Sequence, residues 1–220
     1  MAAILENTAF SGYNTDTWNL TISSSLDRWI VVFASRAIDS GASPPTGVTF
    51  DGNAMTQLGS DETSEDINIE VSSNVWYYQV PAGTAAGSKE IIVSGGNNTG
   101  VHHAIEVSQA RSLNPTPQYT DGGDANLTIS AVEAGSLCLD QVVSDVAATP
   151  TTDEGNTSWD SGNFDGAGSN FDYGWGASSE AAPAGGGDVT MGWSPGSSNR
   201  SYWMIEVFGK FAPHQIIVAV

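Results

Sequence analysis

Basic residues and cysteine are what this sequence has least of. Lysine and arginine together number six against 25 aspartates and glutamates, for a formal net charge of −19 over 220 residues. Phosphate backbones and anionic lipid surfaces are repelled by such a chain, so neither nucleic acid nor a membrane is an expected partner. The one cysteine, Cys138, excludes an internal disulfide and a zinc site built on paired thiolates. Charge of either sign is scarce as well. Charged residues make up 14% of the chain, against about a quarter in ordinary soluble proteins, and the surface is therefore expected to be Ser, Thr, Asn and Gly. The longest apolar run, Trp29 to Ala34, is far short of a membrane span. Met1 to Phe10 has no basic segment and no apolar run ending in a small-residue cleavage site, so the chain is expected to be made in a cytoplasm and to stay soluble. No segment carries the periodicity of a three-turn helix.

What is present is enough to fold. Hydrophobic residues are 40% of the chain and include seven Trp, six Tyr and seven Phe. They fall in short β-branched or aromatic clusters bounded by Gly, Pro, Asn, Asp or Ser, the signature of strands. The clusters are Trp18–Ile22, Arg28–Ser35, Val48–Phe50, Met55–Leu58, Ile67–Val80, Glu90–Ser94, Val101–Ser108, Leu127–Val132, Ser136–Val143, Asp188–Trp193 and Ser201–Phe208. Asp51-Gly52 supplies the positive φ values of a tight hairpin between Val48–Phe50 and Met55. Alternation puts Trp203, Ile205 and Val207 on one apolar face, with Tyr202, Met204, Glu206 and Phe208 on the other. Trp29–Ala34 is apolar on both faces, so it belongs at the centre of a sheet covered on both sides. The expectation is an all-β, antiparallel two-sheet β-sandwich forming a single domain over 1–210.

Two segments break this rhythm. Thr151 to Gly187 places Trp159, Phe164, Phe171, Tyr173 and Trp175 among Gly, Ser, Asn and Asp, and reads as a long functional loop. Its aromatics suit three roles: stacking on sugar rings, anchoring a protein interface, or capping an open end of the sandwich. The tail over 211–220 carries Pro213, His214, Gln215, Ile216, Ile217 and Val218, and reads as a C-terminal arm, an extension strand that adds to a sheet, its own or a neighbour's.

Sites for chemistry are sparse in the pattern. His102 and His103 are neighbours, so on a strand they point to opposite faces and cannot share one metal; one packed and one surface imidazole is the expectation. No nucleophile elbow, phosphate loop or paired His-Glu zinc motif occurs. Calcium is the one ion the residues would suit, through Asp153, Glu154, Asp160, Asp165 and Asp172, although Asp160 to Gly166 lacks the spacing of a helix-loop-helix calcium loop. The expectation is a protein without cofactor or catalytic residues. The five Asn-x-Ser/Thr sites, such as Asn19-Leu20-Thr21, are what chance supplies in so polar a chain.

The order of segments resembles a β-sandwich domain of phage virion proteins and of bacterial surface and secreted proteins. The matching pieces run from Arg28-Trp29-Ile30-Val31-Val32 through Val48-Thr49-Phe50-Asp51-Gly52-Asn53-Ala54-Met55-Thr56 to Val75-Trp76-Tyr77-Tyr78-Gln79-Val80-Pro81-Ala82-Gly83-Thr84. They continue through Val101-His102-His103-Ala104-Ile105-Glu106-Val107 and Gly135-Ser136-Leu137-Cys138-Leu139-Asp140 to Gly186-Gly187-Asp188-Val189-Thr190-Met191-Gly192-Trp193-Ser194. The resemblance implies a jelly-roll-like sandwich and points to a virion structural protein of a tailed phage. In that reading the chain is a non-enzymatic decoration (cement) protein on the capsid exterior, made in the host cytoplasm. Its partners are then the major capsid protein and copies of itself in a trimer, through the aromatic segment and the arm. A carbohydrate-binding module, holding a glycan at Thr151 to Gly187, is the other reading.

Overall fold

The structure is a computed structural model that describes residues 1–12, 14–38, 43–65, 70–96, 99–120, 126–144, 148–165, 172–194 and 200–210. Among these described residues nine strands come before Gln109: β1 Ile4–Phe10, β2 Thr17–Ile22, β3 Trp29–Ile38, β4 Gly47–Phe50, β5 Asn53–Ala54, β6 Thr56–Glu65, β7 Glu70–Gln79, β8 Gly87–Ser94 and β9 Thr99–Ser108. Nine follow: β10 Ala110–Leu113, β11 Gln118–Thr120, β12 Asn126–Val132, β13 Leu137–Ser144, β14 Thr151–Thr152, β15 Thr157–Asp165, β16 Asp172–Ala181, β17 Gly187–Ser194 and β18 Arg200–Gly209. The all-β antiparallel sandwich read from the sequence is what the chain forms, in doubled form, with four sheets where two were expected.

The doubling is a repeat of one winding. The large sheet of the first half has the order β1-β9-β3-β7-β6 and that of the second β10-β18-β13-β16-β15, while the small sheets run β2-β8-β4-β5 and β12-β17-β14. With β5 counted into β6 and β11 set aside, both halves place strands 1-8-3-6-5 in one sheet and 2-7-4 in the other. This is the crossing pattern of a jelly roll. Register makes the match residue by residue. Trp29 pairs with Val107 and Gln79, and Leu137 pairs with Val207 and Ala181.

The halves pack through their large sheets, giving four layers. Trp29, Val31 and Phe33 of β3 meet Leu137, Leu139, Trp203, Ile205 and Val207 in the central core. Ile30, Val32 and Ala34, on the other face of β3, pack against Leu20, Phe50 and Ile91 of the first small sheet. Cys138 and Met204 face Ile129, Val189 and Met191 of the second. Both faces of β3 are thus covered, as its two-sided apolar run requires. The contact between halves is reciprocal. Ser73 Oγ meets Ser201 Oγ, and the positions equivalent to them in the opposite halves, Trp175 and Val101, share a cluster. Val71 and its counterpart Tyr173 meet in that same cluster. Residue i touching j while j touches i is the mark of a twofold interface; here the twofold is internal and approximate.

The Asp51-Gly52 hairpin forms as read, with φ of 50° and 78° at its two turn residues. The segment Thr151 to Gly187 differs from its reading as a loop: it holds β14, β15 and β16, with β16 inside the second large sheet. Its glycines mark places where rings lie against backbone. A Cβ on Gly176 would sit 2.5 Å from the Trp193 ring, and one on Gly162 would sit 2.5 Å from Trp175. Glycine here makes room within strands, which the composition alone presents as loop. The arm expected over 211–220, with Pro213, Gln215, Ile216, Ile217 and Val218, lies outside the described residues.

Candidate functional site

The aromatic residues of β15 and β16 are placed by strand alternation. Tyr173 and Trp175 point into the interface between the halves and are buried, with Phe10 stacked on Trp175 at 5.3 Å between centroids. Trp159 is half-buried, its ring meeting His103 edge-on at 5.5 Å. Three of the five candidates bear on this question, since the side chain of Phe164 and the whole of Phe171 are outside the described residues. The three described rings pack between the layers of the two halves.

Both histidines are buried, contrary to the expectation of one at the surface, because β9 is an inner strand with a layer on each side. They do point to opposite faces. On the face towards the second half, Ser35 Oγ donates to Gln141 Oε1 (2.9 Å), Gln141 Nε2 donates to His103 Nδ1 (2.6 Å), and His103 Nε2 donates to Asp160 Oδ2 (2.7 Å). Trp175 Nε1 donates to the same oxygen at 3.2 Å. With Gln141 Nε2 as the donor to Nδ1, the His103 ring is neutral and carries its proton on Nε2. Burial pushes its pKa below the usual histidine value in the same sense. On the opposite face the Ser35 N–H donates to His102 Nδ1 (3.2 Å), and His102 Nε2 reaches Asp16 Oδ1 (3.2 Å), which also accepts from Arg36 (2.5 Å). Burial brings His102 down to about 4, while the hydrogen bond from His102, together with Arg36, holds Asp16 at about 2.

A third cluster surrounds Asp140, a position the sequence did not mark. Its carboxylate accepts from Ser178 N (2.8 Å), Ser178 Oγ (2.6 Å), Trp193 Nε1 (2.9 Å) and Tyr202 OH (2.9 Å) between the second large and small sheets. Burial raises its pKa to about 6 despite these four donors. Two further carboxylates complete the set. Glu106 accepts from Ser23 N, Ser23 Oγ and Asn7 Nδ2, and Glu206 accepts from Glu133 N and Asn114 Nδ2. Of the residues considered for calcium, Asp160 is held by His103 and Trp175 and Glu154 accepts from Asn126. Among the described residues no three His, Cys, Asp or Glu side chains gather as a metal site. Burial holds Cys138 protonated, with its pKa raised to about 12.

Two grooves lie on the surface at the same end of the two halves. A groove of about 300 Å³ lies between the β2–β3 connection, Ser25–Arg28, and the turn Gln79–Gly83. A second, of about 540 Å³, lies between the end of β12 with the two residues after it, Ala131–Ala134, and the start of β17 with the two residues before it, Gly185–Gly187. The two grooves are lined by different positions of the repeat, but each lies beside a Pro-Ala-Gly turn closed by a backbone bond to the proline oxygen, from Thr84 N to Pro81 and from Gly186 N to Pro183. Two signals of the repeat stood in the sequence unread. Ile-Glu-Val recurs at 105–107 and 205–207, and Pro-Ala-Gly at 81–83 and 183–185.

No protein-family model matches the chain, and neither does any curated protein or solved structure.

Proposed function

We propose that the chain is a non-enzymatic structural protein of a tailed-phage particle, a decoration (cement) protein on the capsid exterior, with the major capsid protein and further copies of itself as partners. One observation carries the reading: the duplicated jelly roll is welded face to face into a four-layer body, and its buried ionisable groups are committed to holding the layers together. His103, Asp160 and Gln141 tie one half to the other, and Asp140 ties two sheets. A body of this kind acts through its surfaces. The negative charge suits the outside of a shell, since a protein lying against packaged DNA needs basic residues. A glycan-binding module would need an exposed aromatic platform, whereas Tyr173 and Trp175 are enclosed.

Quantitative mass spectrometry of purified virus particles from the source culture tests the reading. A copy number equal to that of the major coat protein, or a simple fraction of it, is expected. Absence from particles overturns it.

A further inference from the structure

We infer that Arg28 is the anchor of a binding site for a carboxylate carried on an aliphatic body, held in the groove between Ser25–Arg28 and the turn Gln79–Gly83. This goes beyond the virion reading and does not depend on it.

Four of the six basic residues lie against a carboxylate: Arg36 at Asp16, Lys89 at Asp51, Arg111 at Glu133 and Lys210 at Asp27. Arg28 does not. It is 4% exposed, and its acceptors among the described residues are two backbone oxygens, of Ser23 and, at 2.6 Å, of Thr84. A guanidinium is a fork of five N–H donors, so part of it remains to be bonded. The carboxylates of this region are engaged elsewhere: Asp27 by Lys210, Glu6 by Ser25 and Ser108, and Glu106 by Ser23. Buried charges are ordinarily paired, and this one meets no anion among the described residues.

The turn beside Arg28 does not require it. Val80 N donates to Arg28 O in the first half and Ala182 N donates to Ser136 O in the second, so Ser136 holds the place of Arg28. The second Pro-Ala-Gly turn closes, Gly186 N on Pro183 O, with a serine there. Arg28 instead lines a groove of about 300 Å³, where a guanidinium takes an oxyanion by two parallel hydrogen bonds. A body of net charge −19 repels each added negative charge, which favours a single carboxylate over a doubly charged phosphate. Apart from Asp27, which Lys210 neutralises, the groove walls carry no further acid. Leu26, 72% exposed, lines this groove and also an adjoining hollow of about 270 Å³ that it shares with exposed Met1. An aliphatic chain attached to the carboxylate covers that apolar surface.

The test is an NMR titration of the purified full chain with sodium acetate and sodium hexanoate, against sodium chloride at the same ionic strength. The Nε–H resonance of Arg28 is expected to move saturably with both carboxylates while that of Arg111 stays. Hexanoate is expected to bind roughly tenfold more tightly than acetate, as covering about two methylenes would give. Leu26→Ala changes an exposed side chain, so it is expected to melt as wild type does, to weaken hexanoate several-fold and to leave acetate unchanged. In Arg28→Gln the hexanoate shifts of the Ala82 and Gly83 amides are expected to vanish. An Arg28 signal that moves no more than in chloride overturns the site, and hexanoate binding no tighter than acetate overturns it too. The virion reading stands or falls separately, on the composition of the particles.

Discussion

Glu106 and Glu206 hold the same place in the two halves: each lies in the last strand of its jelly roll, and each accepts the backbone N–H that follows the second strand, from Ser23 and Glu133 respectively. Each also accepts from an asparagine in or just after the first strand, Asn7 in β1 or Asn114 after β10. A buried carboxylate therefore latches three strands in both repeats. Removing it leaves those donors without an acceptor, at on the order of 1–3 kcal/mol for each buried group left unmet. Glu106→Ala is expected to cost more stability than Glu206→Ala, because Ser23 Oγ donates to Glu106 as well. Urea unfolding of the two variants measures the difference; equal losses would count against the bond inventory.

Asp140 is expected to make stability depend on pH in the sense opposite to an ordinary salt-bridged acid. Its folded pKa of about 6 lies above the unfolded 3.8. Its contribution is therefore complete below pH 3.8 and is lost as pH rises through 6. Between those limits Asp140→Asn should gain on wild type by roughly 3 kcal/mol, on 1.36 kcal/mol per pKa unit. Unfolding free energies at pH 4 and pH 8 check this, and a constant difference would contradict it.

His102 acts on the acid side. Its folded value of about 4 lies below the unfolded 6.5, so the unfolded chain takes up the proton first. Its contribution is whole above pH 6.5 and falls away towards pH 4. His102→Gln is expected to flatten this part of the profile while weakening the fold at neutral pH. The imidazole resonances of wild type, followed by NMR titration, give the folded value directly.

Gly176→Ala should destabilise the chain by about 1–3 kcal/mol, as overpacking does, since the added Cβ lies 2.5 Å from the Trp193 ring. Gly83→Ala is the control: its Cβ meets open space, and only its φ of +86° opposes the change. Trp193→Leu in the Gly176→Ala background should recover part of the loss. Thermal melts of wild type, Gly176→Ala, Trp193→Leu, the double variant and Gly83→Ala settle the comparison, and additive losses for the pair would argue against contact.

Strand character, the Asp51-Gly52 hairpin and the two-sided burial of β3 were legible in the sequence because they are local: they depend on side-chain period and turn geometry over a few residues. The opposite pointing of His102 and His103 was legible for the same reason. What hid β15 and β16 was glycine, whose role there is to admit the rings of Trp175 and Trp193, each of which comes from a different strand than the glycine it covers. Asp140 was invisible because nothing near it in sequence marks it; its donors, Ser178, Trp193 and Tyr202, come from three other strands.

The sequence by itself determined an antiparallel all-β chain with a polar, acidic surface, since composition and alternation act residue by residue. Only the tertiary structure decided that two jelly rolls exist, that they share one core through a twofold, and that the histidines and Asp140 are interior. Each of those facts is a pairing between residues from 38 to more than a hundred apart. A period of two says which face a side chain takes and leaves open what lies across from it.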